Sequence, residues 1–348
     1  MLSGKVWPAH PKPLPDELLS SWIVRVAEAN AIKLQTLSWM LFGNGVSPWN
    51  RDIDRNPPRW LIEALSQHTG SRYRDVFHTT LVTYKGRLYP HRQAVGQLRW
   101  ILPIRSYGMR HKAFGQQFCP ECLAKDTIPY FRKQWRVAMF TYCPEHQVEL
   151  HDACPACGSP VVIYRGDFGR ELKDARPLYV CHSCGFDFRS AERVAPVFFS
   201  PEIGGLFREM LRSLLLPTGK NEHFDLGFFA VLHQMTRIMV MRQNADRLRR
   251  HIAGCIGCDA PPMALGRISI EQRTRDERHH LLSLGLWLLG DLGPRLTDAW
   301  HTKAVRYNLM LRDFDDRPGW YRSQVAKFSD WRKPIGDVPQ AFTTIGRY

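Results

Sequence analysis

Acidic residues are in short supply in this chain. The 348 residues carry 33 Asp and Glu against 48 Lys and Arg, a formal net charge of +15. Such an excess favours a polyanionic partner, most commonly nucleic acid; the alternative is a basic protein whose charges are simply solvated. Long apolar runs are also missing. The longest, Leu281 to Gly290, is too short to span a bilayer, and the opening Met1-Leu2-Ser3-Gly4 has no apolar signal core. A protein of the bacterial cytoplasm, with no membrane partner, is therefore expected. A reducing compartment argues against a disulfide framework for the nine cysteines. Low-complexity tracts are absent. No G-x-x-x-x-G-K-[ST] run exists, so the chain is not a P-loop ATPase. No H-x-E precedes a P-C-x-x-C, which disfavours a zinc deaminase. The acids show no pairing that would make a two-metal nuclease core. No enzyme is expected from these absences.

What is present is concentrated. Seven of the nine cysteines fall between positions 119 and 184. They form two consecutive sets, Cys119-Pro-Glu-Cys122 with Cys143-Pro-Glu-His146, then Cys154-Pro-Ala-Cys157 with Cys181-His-Ser-Cys184. A two-residue spacer sets two donors about one tetrahedral edge apart, which suits Zn²⁺. Each set is full at four ligands, the mark of a structural rather than a catalytic ion, so two structural Zn²⁺ ions are expected. His151 and His182 are rival ligands with poorer spacing. Binding both ions would change the charge by −1 and −2, leaving about +12 from the starting +15.

The rest reads as mainly α with small zinc-ribbon β elements, in three parts: residues 1–112, helical with a helix-turn-helix; 113–195, the tandem zinc-ribbon region; and 196–348, a C-terminal helical domain. Leu14-Pro-Asp-Glu predicts a helix start with acids in the first turn. A short helix around Leu37 and Met40 should stop at Gly43-Asn44-Gly45. Leu61, Ile62 and Leu65 form a stripe ending at His68-Thr69-Gly70. Ser71 then caps a helix with Tyr73, Val76 and Phe77 inward. Two helices across this turn fit a helix-turn-helix, and equally an ordinary corner. In the first reading, Arg72, Arg74 and His78 contact nucleic acid. Within the zinc region, Val137–Tyr142 and Pro160–Tyr164 read as short strands. Between the ligand pairs, Phe131 and Trp135 read as packing residues, and Arg132, Lys133 and Arg136 as surface contacts. Phe228, Phe229, Leu232, Met235, Ile238 and Met239 mark a long buried helix, expected to run on into a basic end at Arg242, Arg247, Arg249 and Arg250. Those last three arginines are candidate phosphate contacts, or only a complement to the helix dipole. Leu281, Leu284 and Leu288 mark another buried helix. Cys255 and Cys258 form a lone C-x-x-C, read as ordinary helix-end thiols.

The order of these features resembles the TniQ family of transposition proteins, which includes the TnsD target selectors. The resemblance is carried by Pro13-Leu-Pro-Asp-Glu-Leu-Leu-Ser-Ser-Trp-Ile, by Leu61–Leu81, and by Phe118-Cys119-Pro-Glu-Cys122 with Trp135-Arg136. It is most specific in Tyr142-Cys143-Pro-Glu-His146-Gln-Val-Glu-Leu150, leading into Cys154-Pro-Ala-Cys157-Gly. It implies a non-catalytic target-selection factor that recruits an AAA+ ATPase regulator. Some members read an attachment sequence in DNA; others dock on a CRISPR Cascade-type, RNA-guided effector complex, in some systems as a homodimer. Beside the long TnsD-type members this chain is short, which favours the adaptor role. By the same resemblance the zinc ligands are Cys119, Cys122, Cys143, His146, Cys154, Cys157, Cys181 and Cys184.

Overall fold

The computed structural model describes residues 6–43, 49, 52–91, 96–104, 114–216, 223–266 and 268–328. The expected stop at Asn44-Gly45 and the first expected part boundary lie outside these residues. The described chain is mainly helical. In the N-terminal part, α1 spans Leu19–Ala29, α2 Leu34–Phe42, α3 Arg59–Thr69 and α4 Tyr73–Phe77. The middle part holds α5, Pro120–Lys125, and a two-stranded antiparallel sheet of β1, Tyr142–Cys143, and β2, Val148–Glu149, with Tyr142 opposite Glu149. The C-terminal part carries α6 Pro201–Leu215, α7 Leu226–Met239, α8 Arg247–Ile256, α9 Arg275–Gly290, α10 Leu292–His301, α11 Tyr307–Leu311 and α12 Gly319–Val325.

Local chemistry accounts for many of these ends. Ser200 Oγ accepts from the Ile203 amide at the start of α6, with Pro201 at the first helical position. Asp225 does the same for α7 through the Phe228 amide at 2.7 Å. Thr274 and Glu277 close a reciprocal capping box on α9. Gly70 ends α3 at φ +60°, a left-handed conformation open to glycine at little cost. α7 and α9 approach so closely at Gly285 that a Cβ there would sit 2.6 Å from Leu232 Cδ1.

Several local expectations need correction. Helix α1 begins at Leu19, not at Leu14-Pro-Asp-Glu. Glu17 is buried instead, where it accepts from the Leu14 amide and pairs with Arg25 at 2.6 Å. A buried charge with a partner outweighs a weak preference for acids in a first helical turn. Ser71 does not cap α4: the capping position is Arg72, and the Ser71 hydroxyl takes a hydrogen bond from Thr69 Oγ1 at 2.9 Å. Tyr73 is exposed while Val76 is fully buried. The basic run is not the end of α7. That helix stops at Met239, and Arg247–Arg250 form the first turn of the separate helix α8. Finally, Val137 contributes one bridge to Ile101 and Pro160 one bridge to Ala153, while Ile163–Arg165 is a 3₁₀ turn rather than strand.

One contiguous cluster of buried side chains takes residues from all three sequence parts, from Leu18 and Trp22 through Phe118 and Tyr142 to Phe229 and Leu284. Polar ties run along it. Trp100 donates its backbone amide to Glu271 at 2.7 Å and its indole to the Phe229 carbonyl at 3.0 Å. The fully buried Arg278 on α9 reaches into the middle part, donating to the Ala138 carbonyl at 2.7 Å and to Gln117 Oε1 at 2.8 Å. Burial draws that guanidinium down to about 10.

Candidate metal centres

The two donor sets converge as the spacing predicts. In the first, Cys119, Cys122, Cys143 and His146 bring their donor atoms within 4.8 Å of one another. Cys122 Sγ lies 3.6 Å from Cys143 Sγ, and His146 Nδ1 lies 3.8, 3.3 and 3.6 Å from the sulfurs of Cys119, Cys122 and Cys143. A zinc tetrahedron with Zn–S near 2.3 Å has S–S edges of about 3.8 Å, so the spacing fits. Two different local structures build it. Cys119 stands at the N-cap of α5, where its sulfur accepts from the Cys122 amide at 3.4 Å. Cys143 and His146 stand on a tight turn between β1 and β2, closed by the Gln147 amide on the Cys143 carbonyl at 2.9 Å, with Gln147 in the left-handed region.

The second set, Cys154, Cys157, Cys181 and Cys184, converges in the same way, with sulfur pairs at 3.6 and 3.8 Å. Here both halves are knuckles of one design. Gly158 bonds back to Cys154 and Gly185 to Cys181, each glycine in a left-handed turn. The sets differ in burial. All three cysteines of the first are buried, whereas Cys157 and Cys184 of the second are exposed. His151 and His182 join neither set. His151 Nε2 bonds the Glu192 carbonyl at 2.8 Å and its ring stacks on Phe118.

Thiols gathered this closely cannot all ionise without a cation. Hydrogen bonding to Cys119 and Cys143, reinforced by burial, pushes the Cys122 thiol far above its ordinary range. Burial pushes Cys154 up to about 12. A divalent cation removes that penalty, because thiolates bound to it need not hold protons. Both sets can therefore hold a metal ion, and their all-sulfur and sulfur-plus-imidazole donors are consistent with zinc.

The basic residues divide sharply. Arg136 is wholly buried, its guanidinium 2.5 Å from Asp52, 3.2 Å from Asp54 and 2.9 Å from the Leu102 carbonyl. Arg132 makes a two-pronged pair with Asp126 at 2.8 and 3.0 Å over the Tyr130 ring. Lys133 is buried within 3.5 Å of Asp16. Arg249 is buried against Asp246 at 2.5 and 2.7 Å. The surface role expected for Arg132, Lys133 and Arg136, and the phosphate contact considered for Arg249, are corrected by their burial and these partners: a buried cation already paired with a carboxylate offers little to a phosphate. The packing reading of Phe131 and Trp135 holds, both being fully buried with their rings edge-on at 5.4 Å. Arg72, Arg74, His78, Arg247 and Arg250 stay at the surface, Arg72 beside Asp75 and Arg250 beside Asp246. The two groups lie on different helices, α4 and α8. The missed residues are the acids that pair with these cations, Asp54 and Asp246, which are buried, and Asp16, Asp52 and Asp126, which are partly buried; the sequence carries no periodic signal for them.

The described structure is thus a mainly helical protein built around two four-donor Cys/His sets, with no helix long and apolar enough to cross a membrane among its described residues. Residues 8–150 match the TniQ family, and the chain carries a TniQ domain over that span. The domain supports a general role in transposition-associated target selection. The match takes in the whole first donor set and ends before the second. Comparison with curated proteins gave no match.

Proposed function

We propose that this chain is a non-catalytic target-site selection factor for DNA transposition. It acts as an adaptor between a target complex and an AAA+ ATPase regulator, with two structural Zn²⁺ ions holding its middle part. The TniQ domain at residues 8–150 carries the reading. The adaptor form is supported by what became of the basic residues. Four of the nine candidate contacts are buried and paired with carboxylates, and α4 is only five residues long. At about 1.5 Å per residue that is a helix of roughly 7.5 Å, little to lay in a major groove. The direct partner on the target side is then an RNA-guided effector complex of the Cascade type, engaged in part through phosphates by Arg72, Arg74, His78, Arg247 and Arg250. A homodimer would present these twice.

The test is capture of the zinc-loaded protein on two baits across a salt series. One bait is target-site DNA; the other is an RNA-guided effector complex, each with and without the ATPase. Capture by the effector complex alone is expected. Salt-sensitive, sequence-selective capture by DNA alone would instead make the α3–α4 corner a direct reader.

A further inference from the structure

Helix α8 presents His251 and Cys255 one turn apart, on the same face. α10 lies across from that face and contributes Asp298. Its Oδ2 lies 3.1 Å from His251 Nε2, while Cys255 Sγ lies 3.7 Å from the same nitrogen. All three donor atoms fall within 4.8 Å of one another. The sulfur–nitrogen separation matches that of the first full set, where sulfur and imidazole nitrogen lie 3.3 to 3.8 Å apart. A zinc tetrahedron needs N–O edges of about 3.4 Å and S–N edges of about 3.6 Å. The imidazole is also held from behind: Thr302 Oγ1, which donates to the Asp298 carbonyl at 2.9 Å, sits 3.4 Å from His251 Nδ1. A polar partner on the second ring nitrogen orients a metal-binding histidine in this manner. His251 is half-buried, and Cys255 and Asp298 are exposed, so the remaining side of the cluster faces solvent.

We propose that His251, Cys255 and Asp298 form a third metal site, with three protein ligands and one open position, for a divalent ion of the Zn²⁺ class. Nitrogen, thiolate and carboxylate together suit such a borderline ion, and three ligands leave room for a water. The lone C-x-x-C divides in this assignment. Cys255 is a ligand, while Cys258 lies beyond the left-handed turn at Gly257, its amide bonded to the Ala253 carbonyl at 3.0 Å. Occupancy pins α8 to α10 from the outside. The site is independent of the transposition reading.

Cobalt titration of the full chain tests it, starting from protein whose zinc content has been fixed at two per chain. Co²⁺ should bind as one further equivalent, with a thiolate-to-cobalt charge-transfer band and no zinc released. Cys255→Ser should abolish the band. His251→Ala and Asp298→Asn should each weaken binding at least about tenfold, since even outer-sphere partners cost about 10–100-fold when lost. Cys258→Ser should bind as the parent does. A parent chain that takes up no further equivalent overturns the assignment. So does a band that survives Cys255→Ser or vanishes with Cys258→Ser, because the cobalt would then be held elsewhere. Circular dichroism of each variant excludes misfolding as the cause of a loss.

Discussion

The two four-donor sets have the same ligand count and almost the same spacing, but they sit differently in the molecule. The first is inside the TniQ match and inside the core: its three cysteines are buried in one cluster with Phe118, Leu123, Tyr142 and Leu150. The chain between its ligand pairs is bound to α1, with the Leu18 amide on the Phe131 carbonyl at 2.8 Å and the Phe131 amide on Ser21 Oγ at 2.9 Å. The second is outside the match and half-exposed, with short 3₁₀ turns between its ligand pairs and just after them. It rests on the first mainly through Phe188, whose ring stacks on Phe118 at 4.4 Å. Identical coordination chemistry can thus hold a core together in one place and shape a peripheral loop in another. What separates the roles is how much apolar packing depends on the donors staying together.

The largest expected effect comes from breaking the first set. Cys143→Ala should remove cooperative folding of the TniQ domain, since structural zinc supplies about 10–16 kcal/mol in small zinc domains and whole proteins are stable by about 5–15 kcal/mol. Thermal melting with zinc counting checks this; a native melt with one zinc lost would show the first set to be as dispensable as the second. Cys157→Ala should leave the global melt within a few degrees and open residues 154–184 to protease. Similar melting losses in both variants would erase the distinction drawn here.

Next comes Arg136→Ala, which leaves Asp52 and Asp54 enclosed without their cation. Breaking such a buried pair costs about 3–5 kcal/mol, against less than about 0.5 kcal/mol for an exposed change such as Arg74→Ala. Denaturant unfolding of both variants checks the ranking, and equal losses would mean Arg136 is not the structural residue its burial implies. Chelation offers a kinetic version. A mild chelator should take the ion of the exposed second set first, with the far-ultraviolet circular dichroism nearly unchanged. Release from the buried set first, or from both together with unfolding, reverses the assignment of roles. The smallest effect is on binding rather than folding: reversing Arg72 and Arg74 should weaken nucleic-acid capture and flatten its salt dependence, by about one unit of slope per lost phosphate contact. An unchanged slope would mean that α4 faces protein.

Much of this was legible beforehand for definite reasons. Ligand spacing is local, so both sets could be read from Cys119 to Cys184, and the structure closes them without exception. Periodicity is local too, and α2, α3, α7 and α9 fall where their apolar stripes predict. The errors also have local causes. Leu14–Glu17 looked like a helix start because proline and acids usually mark one, but Glu17 is matched to Arg25. The basic run after Met239 looked continuous with α7 because no glycine or proline interrupts it. The helix breaks at Met241, whose backbone is extended, and the chain then turns again through the left-handed Ala245 and Asp246 before α8; the residue type of Met241 does not announce the first break.

The sequence by itself determined the helical class, the two metal sets and the net positive charge, because each is a matter of residue type and short-range spacing. Only the tertiary structure decided which charges are available. Arg136 meets its carboxylates more than 80 residues away along the chain, and His251 and Cys255 meet Asp298 only because α8 packs beside α10. A charge or a ligand is visible in one dimension; its partner, and therefore its solvation and its energy, is fixed only when distant segments are brought together.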